Sequence, residues 1–89
     1  MSLAQPYLAV EKRMTVVADR IEINPEIMPG KPVIRGTRIT VGLVLRKLGE
    51  GASETELLDA YPHLTVPDIR AAIKYAAEVV AHEEISALD

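Results

Sequence analysis

No cysteine, phenylalanine or tryptophan occurs in this 89-residue chain, and its aromatic side chains are three tyrosines, Tyr7, Tyr61 and Tyr75. Without cysteine there is no disulfide, no thiol nucleophile and no thiolate-bound zinc, so the fold needs no oxidising compartment and a cytoplasmic location is expected. Without large aromatics, burial falls to Val, Ile, Leu and Ala, each of which removes less apolar area from water. A chain of this length buries only about 60 to 65% of its unfolded surface. A core this small favours support from a second subunit, and a homodimer is expected. No apolar run approaches the ~18 residues that would span a bilayer, and the opening "MSLAQPYLAVEKR" lacks a basic segment followed by a long apolar one. Membrane roles are therefore not expected.

The motifs of catalysis are missing too. Gly30 and Gly36 are not followed by the Gly-Lys-Ser/Thr ending of a phosphate-cradling loop, and Pro32 removes a backbone donor where such a loop needs one. His63 follows a proline in a turn, and His82 lies in "AHEEI", which is not the His-Glu-x-x-His zinc pattern. Ser53 reads as a helix cap and has no visible base or orienting partner. These absences predict a non-enzymatic protein with no cofactor, no metal and no small-molecule substrate.

What is present is an uneven charge distribution. Net charge is -3, yet Lys31, Arg35, Arg38, Arg46 and Lys47 fall within one stretch that holds no acid. From Glu50 to Asp89, nine acids face only Arg70 and Lys74. Such asymmetry fits a basic face for an anionic partner and an acidic face for a basic one, two ends docking in a dimer, or simply two solvated faces.

Residues 1–19 carry mixed signals and read as an N-terminal arm, extended or partly disordered, ahead of a domain over 20–89. Ile21 and Ile23 alternate with polar neighbours until Pro25, which predicts a short half-buried strand. Val33 and Ile34 before Gly36-Thr37, with Ile39 and Val41 after, predict a hairpin with a two-residue type II′ turn. In that register Arg35 and Arg38 stand opposite one another, a mildly unfavourable like-charge pair. A phosphate across the two guanidinium forks would relieve it. Solvation of the turn, or pairing with Asp59, Glu56 or Glu26, would relieve it as well.

Three helices follow. Thr40 caps residues 41–49, whose Val41, Val44, Leu45 and Leu48 form a stripe with Leu43 on the other side. "SETE" is a capping box opening a short helix that Pro62 stops, with Leu57, Leu58 and Tyr61 inward. "TVPD" opens the longest helix, 66 to about 83, with Ile69, Ala72, Ile73, Ala76 and Val80 on one face. A short helix, the turn "YPHLT" and a longer helix have helix-turn-helix spacing, and the preceding helix completes a trihelical pattern. The expected fold class is thus mainly α: a trihelical homeodomain-like (helix-turn-helix) bundle with a short N-terminal β-hairpin. Asp68, Ala71 and Ala72 make the third helix a poor reader of bases, and among its residues only Arg70 and Lys74 are basic. Lys31, Arg35, Arg38, Arg46 and Lys47, with Arg70, are the candidate nucleic-acid contacts.

The run from Ile23 to Ala76 resembles the domain-of-unknown-function 433 family of small bacterial and archaeal proteins. GKPVIRGTRI, the G-x-S-x-x-E-L-L region and YPHLTVPDIRAA carry the likeness over roughly residues 20–83. The resemblance implies a homeodomain-like trihelical domain with a short strand element. For many members it also implies a role as antitoxin of a type II toxin-antitoxin pair, beside a PIN-like nuclease. In that setting the basic stretch would meet operator DNA. The acidic half, with Glu78, Glu83 and Glu84 and the outlying Leu43, would meet the nuclease. A stand-alone helix-turn-helix DNA-binding protein and a structural dimerisation module are the alternatives.

Overall fold

A computed structural model describes residues 15–88, with side chains as far as His82. Three short strands come first: β1 (Thr15–Ala18), β2 (Ile21–Ile23) and β3 (Pro32–Ile34), forming an antiparallel sheet in the order β1-β2-β3. β1 comes from the segment read as an arm. It pairs with β2 through a register shift between Val16 and Ala18. At the tight turn between them Arg20 has φ 66°, a left-handed conformation uncommon outside glycine. Between β2 and β3 the Asn24 carbonyl accepts from the N–H groups of Ile27 and Met28, both at 2.9 Å. The Asn24 side chain accepts from Glu26 N–H at 3.0 Å, so residues 24–28 curl into a single turn rather than an open loop.

The turn after β3 departs from expectation by one residue. The Ile34 carbonyl accepts from Thr37 N–H at 3.0 Å and from the Thr37 hydroxyl at 2.8 Å. Gly36, with φ 80°, is therefore the second central residue of a type II turn, not the first of a type II′. Ile39 still closes on Ile34, through Ile34 N–H to the Ile39 carbonyl at 2.9 Å. Residues 35–38 are thus a four-residue loop in which Arg35 and Arg38 are not a directly opposed pair, and the like-charge argument falls away. The returning arm forms no strand. It makes one isolated bridge, Val33 to Thr40, before turning into a helix.

α1 (Val41–Gly49), α2 (Glu54–Ala60) and α3 (Val66–Leu88) start where the capping residues place them. The Thr40 hydroxyl accepts from Leu43 N–H at 3.0 Å. Ser53 and Glu56 close a reciprocal capping box at 2.8 and 3.0 Å. Thr65 and Asp68 do the same for α3: the Thr65 hydroxyl accepts from Asp68 N–H at 3.3 Å, and the Asp68 carboxylate accepts from Thr65 N–H at 3.0 Å. The other oxygen of that carboxylate receives the Arg20 guanidinium at 3.0 Å, tying the β1–β2 turn to the start of α3.

The core joins Ile21 and Ile34 from the sheet to Val41, Val44, Leu57, Leu64, Ile69 and Ala72. This overturns the expected mainly-α trihelical homeodomain-like bundle: the described residues form a small α/β fold in which α1 and α3 pack on a three-stranded sheet and α2 packs on those two helices. The reason lies in burial. α2 is two turns long and buries only Leu57, whereas Ile21, Val33 and Ile34 are all fully buried in the sheet. Removing the strands would take away much of what the helices cover. α3 differs from expectation as well. Ile69 and Ala72 are buried, but Ile73 and Val80 on the same stripe are 44% and 50% exposed, because the helix runs past the body it packs on.

Asp68→Ala removes both a helix cap and a charge-assisted partner, and is expected to cost about 2 kcal/mol in urea unfolding. Arg20→Ala removes only the Arg20 side of the pair, whose side chain is 41% exposed and screened, and should cost about 1 kcal/mol or less. Equal losses in the two variants would show that the cap contributes nothing.

Candidate nucleic-acid interface

Three segments converge beside the sheet: the 24–31 connection, the 35–38 loop and the first turns of α1. Their convergence gathers the basic residues unevenly. Lys31, Arg38 and Arg46 meet around one shallow notch of about 350 Å3, with Met28, Thr40 and Leu43 completing its wall. Lys31 arrives there because Gly30, at φ 77°, turns the chain out of the preceding bend. Arg46 lies one helical turn beyond Gly42 on α1 and so reaches the same opening. The first turn of α1, which borders the notch, holds no acidic side chain.

Arg35 is exposed in the loop, its N–H donating to the Arg20 carbonyl at 2.8 Å. It does not line the notch. Lys47 is half-buried near the end of α1, and Arg70 is exposed on α3; neither lines the notch. Of the six candidate contacts, the structure therefore brings three together around one opening. Leu43, expected on a partner surface, is half-buried and lines this basic notch.

A second notch, of about 470 Å3, lies where the 36–39 loop meets the end of α2. Ile27, Ile39, Tyr61 and Pro62 make it largely apolar, His63 stands at its edge, and Arg38 is shared with the basic notch. The sequence pattern places Tyr61 inward and His63 in a turn after a proline. It misses this site because its walls are separated by more than 20 positions and meet only through tertiary packing. The one available signal is that "YPH" follows directly on α2, so that an aromatic ring, a rigid proline and an imidazole are presented together.

α3 exposes Ile73, Val79 and Val80; Ile73 and Val80 share a shallow groove with Leu45 of α1, while Val79 lies with Tyr75 and His82. Glu78 is exposed on the same helix. Glu83 and Glu84 fall on its last turns, and their side chains lie outside the described residues. Among the described residues, no group of three or more His, Asp or Glu side chains is arranged to hold a metal ion. No described helix is long and apolar enough to cross a membrane.

Comparison with known proteins adds the following. A family profile described as "Protein of unknown function (DUF433)" matches residues 21–76. The uncharacterized protein y4eO of Sinorhizobium fredii (strain NBRC 101917 / NGR234) is 42% identical over 53 residues, which is 60% of this chain and 24% of that protein. The chain thus spans about a quarter of the length of the curated relative it matches. The crystal structure of a DUF433 member protein from Anabaena variabilis ATCC 29413 superposes with a TM-score of 0.65 at 28% identity, covering 99% of this chain and 81% of that one.

If Lys31, Arg35, Arg38 and Arg46 each neutralise one phosphate, log affinity for DNA against log salt should fall with a slope of about -3.6. The double variant Arg35→Ala, Arg38→Ala should shallow that slope by about 1.8 in a titration of affinity against salt. An unchanged slope would remove the 35–38 loop from any phosphate-binding surface.

Proposed function

The chain belongs to the DUF433 family of proteins of unknown function, and we propose that it is a non-enzymatic cytoplasmic binding protein, the antitoxin of a type II toxin-antitoxin pair. In this reading it engages a PIN-like nuclease through α3 and nucleic acid through the basic ledge around Arg38. The observation that carries it is the separation of two unlike surfaces on a small fold. Three cations line one notch beside the sheet, while α3 exposes Ile73, Val79 and Val80 along its length. Phosphates favour the first surface, since guanidinium and ammonium groups meet them with short charge-assisted hydrogen bonds. A protein partner favours the second, where Ile73, Val79 and Val80 stay in water unless something covers them.

The α3 strip also fits a second copy of this chain, since Leu45, Ile73, Ala76 and Val80 line a shallow groove with no charged side chain in it. Co-expression with the neighbouring reading frame, affinity purification and light scattering separate these partners. A stoichiometric complex with a small nuclease is the expected result. Elution of the protein alone as a homodimer would withdraw the antitoxin role and assign the α3 strip to self-association.

A further inference from the structure

We infer that the two notches on either side of Arg38 are halves of one site for a nucleotide of a single strand. The base enters the apolar notch against Tyr61, and its phosphate lies in the basic notch between Lys31, Arg38 and Arg46. This rests on the phosphate-binding half of the reading above and specifies which nucleic acid the ledge takes.

Four observations lead there. The two openings share Arg38, so a ligand that fills both must carry an apolar planar group and an anionic group close enough for a single side chain to touch both. The apolar notch, at about 470 Å3, is within the size range of small-ligand pockets. Tyr61 packs against the core and also lines the notch, so its ring is held in place for stacking rather than free to swing. Unpaired bases are commonly held by stacking on such rings and on guanidinium planes, which makes Arg38 suited to contact either half. The cation count then decides between a free nucleotide and a strand. Three basic side chains surround one notch, more positive charge than one phosphodiester uses, so a run of phosphates fits better than a single one. A duplex keeps its bases stacked and paired and offers none to the apolar notch without unstacking.

The test is fluorescence anisotropy of the full chain with a labelled short oligothymidylate, the same backbone carrying abasic sites, and a duplex of equal length. The base-bearing strand should bind on the order of tenfold tighter than the abasic strand, and tighter than the duplex. Tyr61→Ala also loosens the core, so the informative variant is Ala60→Gln, which fills the notch rim at an exposed position without changing charge. It should bring oligothymidylate down to the abasic level and leave abasic binding unchanged, whereas Arg38→Ala should weaken both. Free thymidine monophosphate should compete only weakly. Equal binding of base-bearing and abasic strands would overturn the inference while keeping the phosphate ledge, as would tighter binding to duplex. Absence of salt-sensitive binding to every strand would remove the ledge reading and the inference together. Capture of an acidic peptide with an aromatic anchor in place of the strand, blocked by Ala60→Gln, would give the notch to a protein partner and overturn it.

Discussion

The carboxylate of Asp68 holds the two halves of this fold together. One oxygen takes the N–H of Thr65 and closes the first turn of α3; the other takes the guanidinium of Arg20 from the β1–β2 turn. Asp68 is 7% exposed, and its carboxylate is satisfied by the backbone N–H it caps as well as by the half-exposed Arg20, so loss of the arginine alone leaves it hydrogen-bonded. Arg20 takes φ 66° in the two-residue turn between Ala18 and Ile21, and from that turn its side chain reaches Asp68. With α3 anchored at its first turn, Ile69 and Ala72 meet Ile21 and Ile34, and the core closes. An acid at this position also explains why the helix start makes an unpromising phosphate site: its negative end group already serves the protein's own backbone.

The candidate site is a product of connections rather than of regular elements. Asn24 curls the β2–β3 link so that Ile27 and Met28 fall on opposite notches. The Thr37 hydroxyl, donating to Ile34 and accepting from Ile39 N–H at 2.9 Å, braces the loop that holds Arg38 between them. Arg38 is therefore flexible as a side chain but carried on a backbone hydrogen-bonded on both sides. Such an arrangement keeps the two openings at a constant separation while leaving the cation free to adjust to what enters.

Much of this was legible in the chain. Thr40, the Ser53–Glu56 box and Thr65 mark the three helix starts because capping is local chemistry, written within four residues. The strand at Ile21 and Ile23 announces itself by alternation. What stayed hidden is what depends on distant residues. β1 has a segment too short and too exposed, with Val16 and Val17 both facing water, for periodicity to reveal that it pairs with β2. Glu22 looks like the outward partner of two isoleucines, yet it is 3% exposed and its Oε1 has no hydrogen-bond partner among the described residues. The trihelical expectation weighed helix spacing and undercounted the strands, whose lengths of three or four residues carry little signal although β2 and β3 supply fully buried side chains. The family likeness was readable from GKPVIRGTRI and YPHLTVPDIRAA, and these two stretches are the ones that meet at the apolar notch.

Chain order gives the fold a kinetic character. β1 pairs with β2 and β2 with β3, each with its neighbour in sequence, and α1 follows at once on the bridge to Thr40. Contacts of this kind close small loops and form early. The clamp between Arg20 and Asp68 spans 48 positions and must wait until α3 swings onto the sheet. Its free energy therefore belongs mainly to the descent from the folding barrier rather than to the climb. Weakening it should steepen escape from the native state, moving the unfolding arm of a chevron while the refolding arm stays nearly where it was. On this view the residue that fastens the fold sets how long the protein stays folded and hardly affects how fast it gets there.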